Sequence, residues 1–348
     1  MRCVSCFQLP SSIFASSIMS SASSSTASNG LHTHSDASVS PSATHPDQST
    51  HSYLNGFADQ SLHNQKIIEY LYNYGFQRGE YADTVLHVHQ NVYRLHAIIL
   101  SRSPFLVQLL STSPQVGGPR TIYVPVEREP EISAEGFAIA LGYLYSSVSL
   151  KLVRPENARA VLAAGCMLGG MEELCQVAYE TCKRSISIDS IGAWLEFVDA
   201  IPSPSTGADT PEVSSVRIFG SYAQSMRDDV FHFLVVTLPG VLEIQTTPSD
   251  SAPITSDSGR EVLLQVFSRV PFEMFKAAIE SPSFQIGSDQ ARFKFAKEAV
   301  EARKHGIARG PGFEETVVLA FGSAQGPGTS AVHVTRKMRK RPLWKVNS

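Results

Sequence analysis

The sequence has 348 residues, of which 43% are hydrophobic, and is long enough to bury one large core or two modest ones. Its 29 basic and 32 acidic residues give a formal net charge of -3, which excludes a global attraction to nucleic acid or to an anionic membrane surface. No stretch approaches the run of about 18 apolar residues that a membrane span requires. We therefore expect a soluble protein that does not bind membranes, and any contact with nucleic acid would have to be made by a local group of charges.

The first 60 residues are predicted to form a disordered tail. From about residue 16 onward they are mostly Ser, Thr, Ala, His and Asn, a composition that buries too little apolar surface to offset its ordering entropy. The apolar residues before that point are interrupted by Ser and Pro, so we do not expect a cleaved signal peptide.

A short amphipathic helix is predicted over residues 64–74, where the tail composition ends. Ile67, Ile68 and Leu71 recur at helical spacing, and Gly75 occupies the position of a helix C-cap. This helix presents an apolar stripe.

Two strands, a helix and a third strand are predicted next. Residues 84–89 and 92–95 are rich in β-branched and aromatic residues and are joined by a two-residue turn, which favours a hairpin. The pattern is helical over 96–110, is broken by Pro and Gly over 111–119, and becomes strand-like again over 121–126.

The rest of the chain is predicted to be mainly helical. Ser133 is placed to cap one helix, Pro155 to begin a second, and Met171 to begin a third. Further helical patterns cover residues 188–198, 214–238, 260–279 and 288–305. A hairpin followed by a helix, a strand and a helical cluster predicts an α+β fold.

Cysteine usage indicates a reducing compartment. Cys166, Cys175 and Cys182 lie in predicted helices among alanines and leucines, which favours buried thiols over a disulfide framework. Cys3 and Cys6 have the CxxC spacing of two zinc ligands, but no second pair of ligands lies nearby in the sequence to complete a site. We expect no metal, no cofactor, and a cytoplasmic or nuclear location.

Catalytic motifs are not found in the sequence, which has no Walker A loop, no dinucleotide GxGxxG, no HExxH and no GxSxG. We therefore expect a protein that is not an enzyme. Near the C-terminus five cations are clustered, and they predict either a nuclear-import or acidic-surface contact or a solvated basic end without a role. They are Arg336, Lys337, Arg339, Lys340 and Arg341.

Three segments in order, YADTVL at 81–86, VYRLHAIILSRSPFL at 92–106 and GYLYS at 142–146, resemble the BTB (POZ) family. The resemblance implies a BTB domain with its preceding helix over 61–185, a helical, BACK-like extension over 186–310, and short strands with a basic tail over 311–348. The family hallmarks in this sequence are Asp83, His96, Leu100, Ser103, Phe105, Tyr143 and Tyr145.

The resemblance also implies a mode of self-association. In many family members the first helix packs across a two-fold axis, and here Ile67, Ile68 and Leu71 are the residues available for such a homodimer. The alternative is that this helix covers its own domain. On residue chemistry alone, Asp83 is expected to cap a turn or join a polar cluster, and His96 to satisfy free backbone groups.

Two departures from the family pattern bear on partners. Ala97 stands where many members have a basic residue next to the histidine, and residues 110–119 contain no acidic residue, which disfavours a strong cullin contact. The resemblance implies an adaptor that self-associates and recruits a partner protein, with a substrate-receptor role in a cullin-based ubiquitin ligase as its extension. The alternative is a nuclear transcription- or chromatin-associated scaffold that uses the basic tail, although no zinc finger is present.

Overall fold

The computed structural model describes residues 49–115, 117–201, 215–244, 255–284, 286–306, 313–321 and 332–340. They belong to two compact units: an N-terminal unit that ends at residue 125 and also includes 141–148, and a C-terminal unit that contains 126–140 and the chain from 149 onward. The fold is α+β, as predicted. Residues 1–48 of the predicted tail lie outside the described residues.

Helix α1 (Ser49–Tyr70) begins the N-terminal unit and continues as a π-helical turn over Leu71–Phe76. It is therefore longer than the predicted 64–74, and residues 49–60 of the predicted tail are helical. Gly75 is not a C-cap, because it is buried inside the π-turn. Its ideal Cβ position is 3.4 Å from the rings of both His96 and Tyr145, so a larger residue would press on both rings.

A three-stranded sheet follows in the order β2-β1-β3. The predicted hairpin is present as β1 (Thr84–Val88) and β2 (Asn91–Leu95), while β3 (Arg120–Val124) pairs with β1 in parallel. Alternate residues of β1 are buried, with Leu86 and Val88 fully enclosed, because side chains of a strand point to opposite faces.

The helix predicted over 96–110 is two helices, α2 (Ala97–Leu100) and α3 (Pro104–Thr112). Proline lacks an N–H and disfavours helical backbone in the residue before it, so Ser103 is extended and the helix restarts at Pro104. The Oγ of Ser103 accepts a hydrogen bond from the N–H of Leu106 at 3.2 Å and caps α3.

Helix α4 (Ala134–Tyr145) begins after Ser133, as predicted. The Oγ of Ser133 accepts a hydrogen bond from the N–H of Gly136 at 3.0 Å. The helix starts in the C-terminal unit and ends in the N-terminal unit, and a 3-10 segment, Ser147–Leu152, follows it.

The remaining elements form the C-terminal unit. Helices α5 and α6 are a tightly packed pair, six more helices follow among the described residues, and the chain then forms an antiparallel hairpin. These elements are α5 (Ala158–Leu168), α6 (Glu172–Arg184), α7 (Ile191–Asp199), α8 (Ser221–His232), α9 (Leu238–Val241), α10 (Thr255–Arg269), α11 (Phe272–Glu280), α12 (Asp289–Gly306), β4 (Phe313–Phe321) and β5 (Val332–Lys340). A 3-10 segment, Ser215–Phe219, precedes α8, and a π-helical turn, Phe233–Thr237, joins α8 to α9.

The predicted start of a helix at Pro155 is wrong, since α5 begins at Ala158. Residues 154–157 form a turn instead. The Oδ1 of Asn157 accepts a hydrogen bond from the N–H of Arg154 at 2.8 Å, a side-chain bond that competes with helical backbone at this point.

The helix predicted over 260–279 is divided between α10 and α11. Pro271 cannot continue the backbone bonding of α10, and the buried Arg303 satisfies the carbonyls that are left free. Its guanidinium donates to the carbonyl oxygens of Phe267 and Val270 and lies 4.8 Å from the ring centroid of Phe275.

Phenylalanines form the centre of the packing around α10, α11 and α12. The ring centroid of Phe267 is 6.3 Å from Phe275, 5.1 Å from Phe284 and 5.3 Å from Phe295. All four rings are fully buried, and burial of this much aromatic area is a main source of stability. In the part of the chain that the structure describes, no helix has both the length and the apolar run of a membrane span.

We predict that Gly136→Ala destabilises the protein, because a Cβ at Gly136 would lie 2.6 to 2.9 Å from the backbone and Cβ of Ala160. Overpacking of this kind costs about 1 to 3 kcal/mol. The measurement is the urea midpoint of unfolding. Gly192→Ala is the matched control, since nothing lies within 4 Å of its Cβ position in α7, and its midpoint should stay equal or rise. Equal midpoints for Gly136→Ala and wild type would contradict the packing described.

Candidate functional site

Asp83 caps the first helix after the hairpin. Its Oδ1 accepts hydrogen bonds from the N–H of Ala97 at 2.8 Å and from the Oγ1 of Thr84 at 2.9 Å. Ala97 is the first residue of α2, so the carboxylate satisfies a free N–H and lies at the positive end of the helix dipole. With alanine at 97, the aspartate bonds to backbone and does not form a charged pair there.

His96 connects three segments of the N-terminal unit. Its Nε2 lies 2.9 Å from the carbonyl oxygen of Glu80, and its Nδ1 lies 2.9 Å from the hydroxyl of Tyr145. A carbonyl only accepts, so Nε2 carries the proton and Nδ1 accepts from the tyrosine. The N–H of His96 donates to the same hydroxyl at 2.9 Å. The Tyr145 hydroxyl is thus both donor and acceptor.

The tyrosine is held in its neutral form. Burial raises the pKa of Tyr145, the hydrogen bond from the backbone of His96 lowers it, and the negative charge of Asp83 raises it, with burial the largest cause. The ring packs 5.4 Å from Phe76 and against Gly75, so it also fixes the π-turn below α1. We refer to Asp83, His96 and Tyr145 with their bonded partners as the polar clasp.

The other family hallmarks lie in or beside the core of the N-terminal unit. Leu100 is fully enclosed, Ser103 is buried where it caps α3, and Phe105 and Tyr143 are half-buried. The guanidinium of Arg102 donates to the carbonyl oxygen of Leu144, next to the clasp. These residues take part in the packing of the N-terminal unit.

Helix α1 carries the exposed apolar surface. Every side chain from 60 to 70 is exposed, and Leu71 is half-buried. Leu62 is 52% exposed, Ile67 46% and Ile68 43%. Ile67 and Ile68 lie on the same face of the helix as Leu71, and we refer to these two exposed residues as the α1 patch. Its members lie on a helix that makes its main contact with the π-turn that continues it.

A second exposed row crosses the outer face of the sheet. Val92 and Tyr123 are paired with His87 from opposite sides, and the rings of His87 and Tyr123 stack with centroids 4.6 Å apart. This row has no complete pattern in the sequence. Alternation in β1 indicates that His87 points outward, but the parallel pairing of β3 that brings Tyr123 beside it has no local signal.

The predicted basic signal lies mainly in a paired strand. Residues 336–340 belong to β5, with the backbone of Arg336 opposite Val317 and that of Arg339 opposite Glu314. Arg341 lies outside the described residues. Among the residues that are described, no cluster of three or more His, Cys, Asp or Glu is arranged to hold a metal ion.

The chain is similar in sequence to several known proteins. The chain is 27% identical over 289 residues to BTB/POZ domain-containing protein 2 of Schizosaccharomyces pombe, an alignment that covers 81% of this chain and 92% of that protein. It is 28% identical over 131 residues to human Germ cell-less protein-like 2 and 29% identical over 123 residues to mouse Germ cell-less protein-like 1. The aligned parts span about a quarter of those two proteins, 24% and 23%. No protein-family model matches the chain.

We predict that Tyr145→Phe destabilises the protein, because it removes the hydroxyl shared by the N–H and the Nδ1 of His96. Leaving buried polar groups without partners costs about 1 to 3 kcal/mol. Chemical denaturation followed by tyrosine and tryptophan fluorescence measures the loss. Tyr123→Phe is the control, since this side chain is 71% exposed, and its effect should stay within about 0.5 kcal/mol. Equal effects of the two substitutions would mean that the clasp contributes nothing to stability.

Proposed function

We propose that the chain is a self-associating adaptor. It is similar over 81% of its length to BTB/POZ domain-containing protein 2, which confirms the BTB resemblance that its motifs predict. Proteins of this type act by binding other proteins. In our proposal one copy pairs with a second through α1, and the pair recruits a further protein partner without any catalytic step.

The observation that carries the proposal is the exposure of α1. Most helical stability in proteins comes from packing of an apolar face. Within the part of the chain that the structure describes, the side chains from 60 to 70 are all exposed. This counts against the alternative that the helix covers its own domain, and it favours burial of the α1 patch against another molecule.

A second copy is the occupant we propose for the α1 patch. A two-fold axis brings the same surface of both copies together, so the patch of Ile67 and Ile68 meets an identical apolar patch. Lys66 and Glu69 lie on the same stretch of helix, and exchange of such charges across a two-fold axis adds complementary pairs at the rim.

The polar clasp fixes where α1 points. Gly75 in the π-turn packs against the rings of His96 and Tyr145, and the N–H of Glu80 donates to the carbonyl oxygen of Tyr74 at 3.0 Å. The base of the helix is therefore attached to the sheet while its length is exposed. The clasp thus fixes the direction of the helix base before a second copy binds, which lowers the entropy lost in orienting it.

We predict that the double variant Ile67→Glu/Ile68→Glu abolishes self-association of the full chain. Burial of unpaired carboxylates in an apolar interface costs several kcal/mol, so the dimer should weaken by at least about 100-fold. Light scattering coupled to size exclusion measures the mass. Val241→Glu, at a 61% exposed position in α9, is the control and should keep the mass of two chains. A wild-type protein with the mass of one chain at high concentration would refute self-association.

We extend the proposal to delivery of the recruited protein to a cullin-based ubiquitin ligase. The family resemblance supports this extension, and the segment that would meet the cullin lies between α3 and β3. In this chain that segment, residues 113–119, contains two Pro and two Gly and no carboxylate. Cullin contact therefore rests on apolar residues of α3, of which Val107 is 41% exposed.

We predict measurable calorimetric binding of the full chain to a purified cullin N-terminal domain, with an affinity that Val107→Arg lowers. Substitution of an exposed apolar contact by a charge at an interface costs about 1 kcal/mol or more. The Ile67→Glu/Ile68→Glu variant serves as the control, because it should bind with unchanged affinity per chain. No heat of binding with wild type would remove the ligase role and leave the self-associating adaptor intact.

The alternative of a nuclear scaffold depends on the basic residues near the C-terminus. Residues 336–340 are hydrogen-bonded as a strand to β4, so their backbone would have to leave β5 before a receptor could bind them as an extended peptide. Because this extra step is needed, we favour the adaptor over the nuclear scaffold. A full chain in which Arg336, Lys337, Arg339 and Lys340 are replaced by Gln should keep its cellular distribution.

A further inference from the structure

Two cysteines are brought together by the reversal between α5 and α6. Gly169 and Gly170 both have positive φ, 69° and 68°, which turns the chain sharply and places the two helices side by side. The ideal Cβ position of Gly165 lies 2.8 Å from the Sγ of Cys175. The sulfur of Cys175 therefore rests on the backbone immediately before Cys166, a close approach that only glycine at 165 permits.

The two thiols differ in exposure and acidity. Cys166 is half-buried, while Cys175 is 6% exposed. Hydrogen bonding from the Cys175 thiol lowers the pKa of Cys166, although burial acts in the opposite direction. The same bond, followed by burial, raises the pKa of Cys175. Reactive cysteines are accessible and thiolate-prone, whereas buried thiols are inert until a partner sulfur reaches them.

We propose that Cys166 and Cys175 are a modification site at which a hydroperoxide forms a reversible disulfide between α5 and α6. The Cys166 thiolate attacks the terminal oxygen of the peroxide, the O–O bond breaks, and the alkoxide or hydroxide leaves and takes a proton. Cys166 is then a sulfenic acid, oxidised by two electrons. The Cys175 sulfur attacks the Cys166 sulfur, the S–O bond breaks, and water leaves with the thiol proton.

Cys182 provides an internal comparison. It lies on α6, two helical turns beyond Cys175, is 1% exposed, and burial raises its pKa to about 12. It therefore has the burial of a structural thiol, and the proposed site is confined to the first two cysteines.

The test is peptide mapping of the full chain after treatment with hydrogen peroxide, under non-reducing conditions. Wild type and Cys182→Ser should both yield a cross-linked peptide that contains Cys166 and Cys175 and disappears with a dithiol reductant. In Cys175→Ser the sulfenic acid on Cys166 should persist and be labelled by a 1,3-diketone. In Cys166→Ser labelling of Cys175 should fall at least about tenfold, because that thiol is buried.

Wild-type mapping alone decides the matter if a variant fails to fold. Absence of the Cys166–Cys175 peptide at peroxide concentrations that oxidise exposed methionines would overturn the proposal. So would cross-links that join either residue to Cys3 or Cys6 as often as to each other. Neither outcome bears on self-association, which is measured separately under reducing conditions.

Discussion

The hydroxyl of Tyr145 is the interaction on which the N-terminal unit depends. It accepts from the backbone of His96 and donates to its ring, and so joins residues that are 49 positions apart in the chain. The other ring nitrogen of His96 donates to the carbonyl of Glu80. One half-buried histidine and one buried tyrosine therefore connect the end of α4, the start of α2 and the loop that follows the π-turn. A network of this kind is stable only when every member is satisfied, which fixes a single arrangement.

The consequences extend into the helices that follow. Because Asp83 caps α2 through Ala97, the carboxylate bonds to backbone, and the surface at this point carries no charged pair. Because Ser103 caps α3 after a break, α3 takes a direction independent of α2 and exposes Val107. The departures from the family pattern thus change the surface while the scaffold is retained.

Local signals in the sequence predict the elements that have a complete local pattern. Strands β1 and β2 follow from alternation and a two-residue turn, and α4 follows from Ser133 as its cap. The helical patterns do not show the two breaks, before Pro104 and before Pro271. Each break depends on the group that satisfies the free backbone. Ser103 caps α3, and Arg303, far along the chain, donates to a carbonyl at the end of α10. The π-turn at the end of α1 and the parallel position of β3 are set by packing, which no local period encodes.

The candidate site shows the same division. Asp83, His96 and Tyr145 are recognisable from their motifs, but their bonding to one another requires the fold. The sequence does not decide whether the apolar stripe of α1 packs on its own domain or on another molecule. An apolar stripe indicates that a helix face is buried, but it does not identify the surface that buries it.

The two exposed apolar surfaces of the N-terminal unit differ in whether the elements that carry them need packing from another molecule. The row of Val92, His87 and Tyr123 lies on strands whose backbones are already hydrogen-bonded to one another. The rings of His87 and Tyr123 stack and cover part of each other, so the strands need no further partner to keep their structure. The α1 patch lies on a helix whose side chains from 60 to 70 are all exposed among the described residues, and packing of an apolar face is the main source of helical stability. Self-association at α1, as we propose it, would supply that packing and so stabilise the helix as well as hold the two copies together. This coupling is the physical reason to place self-association at α1 and a recruited partner elsewhere.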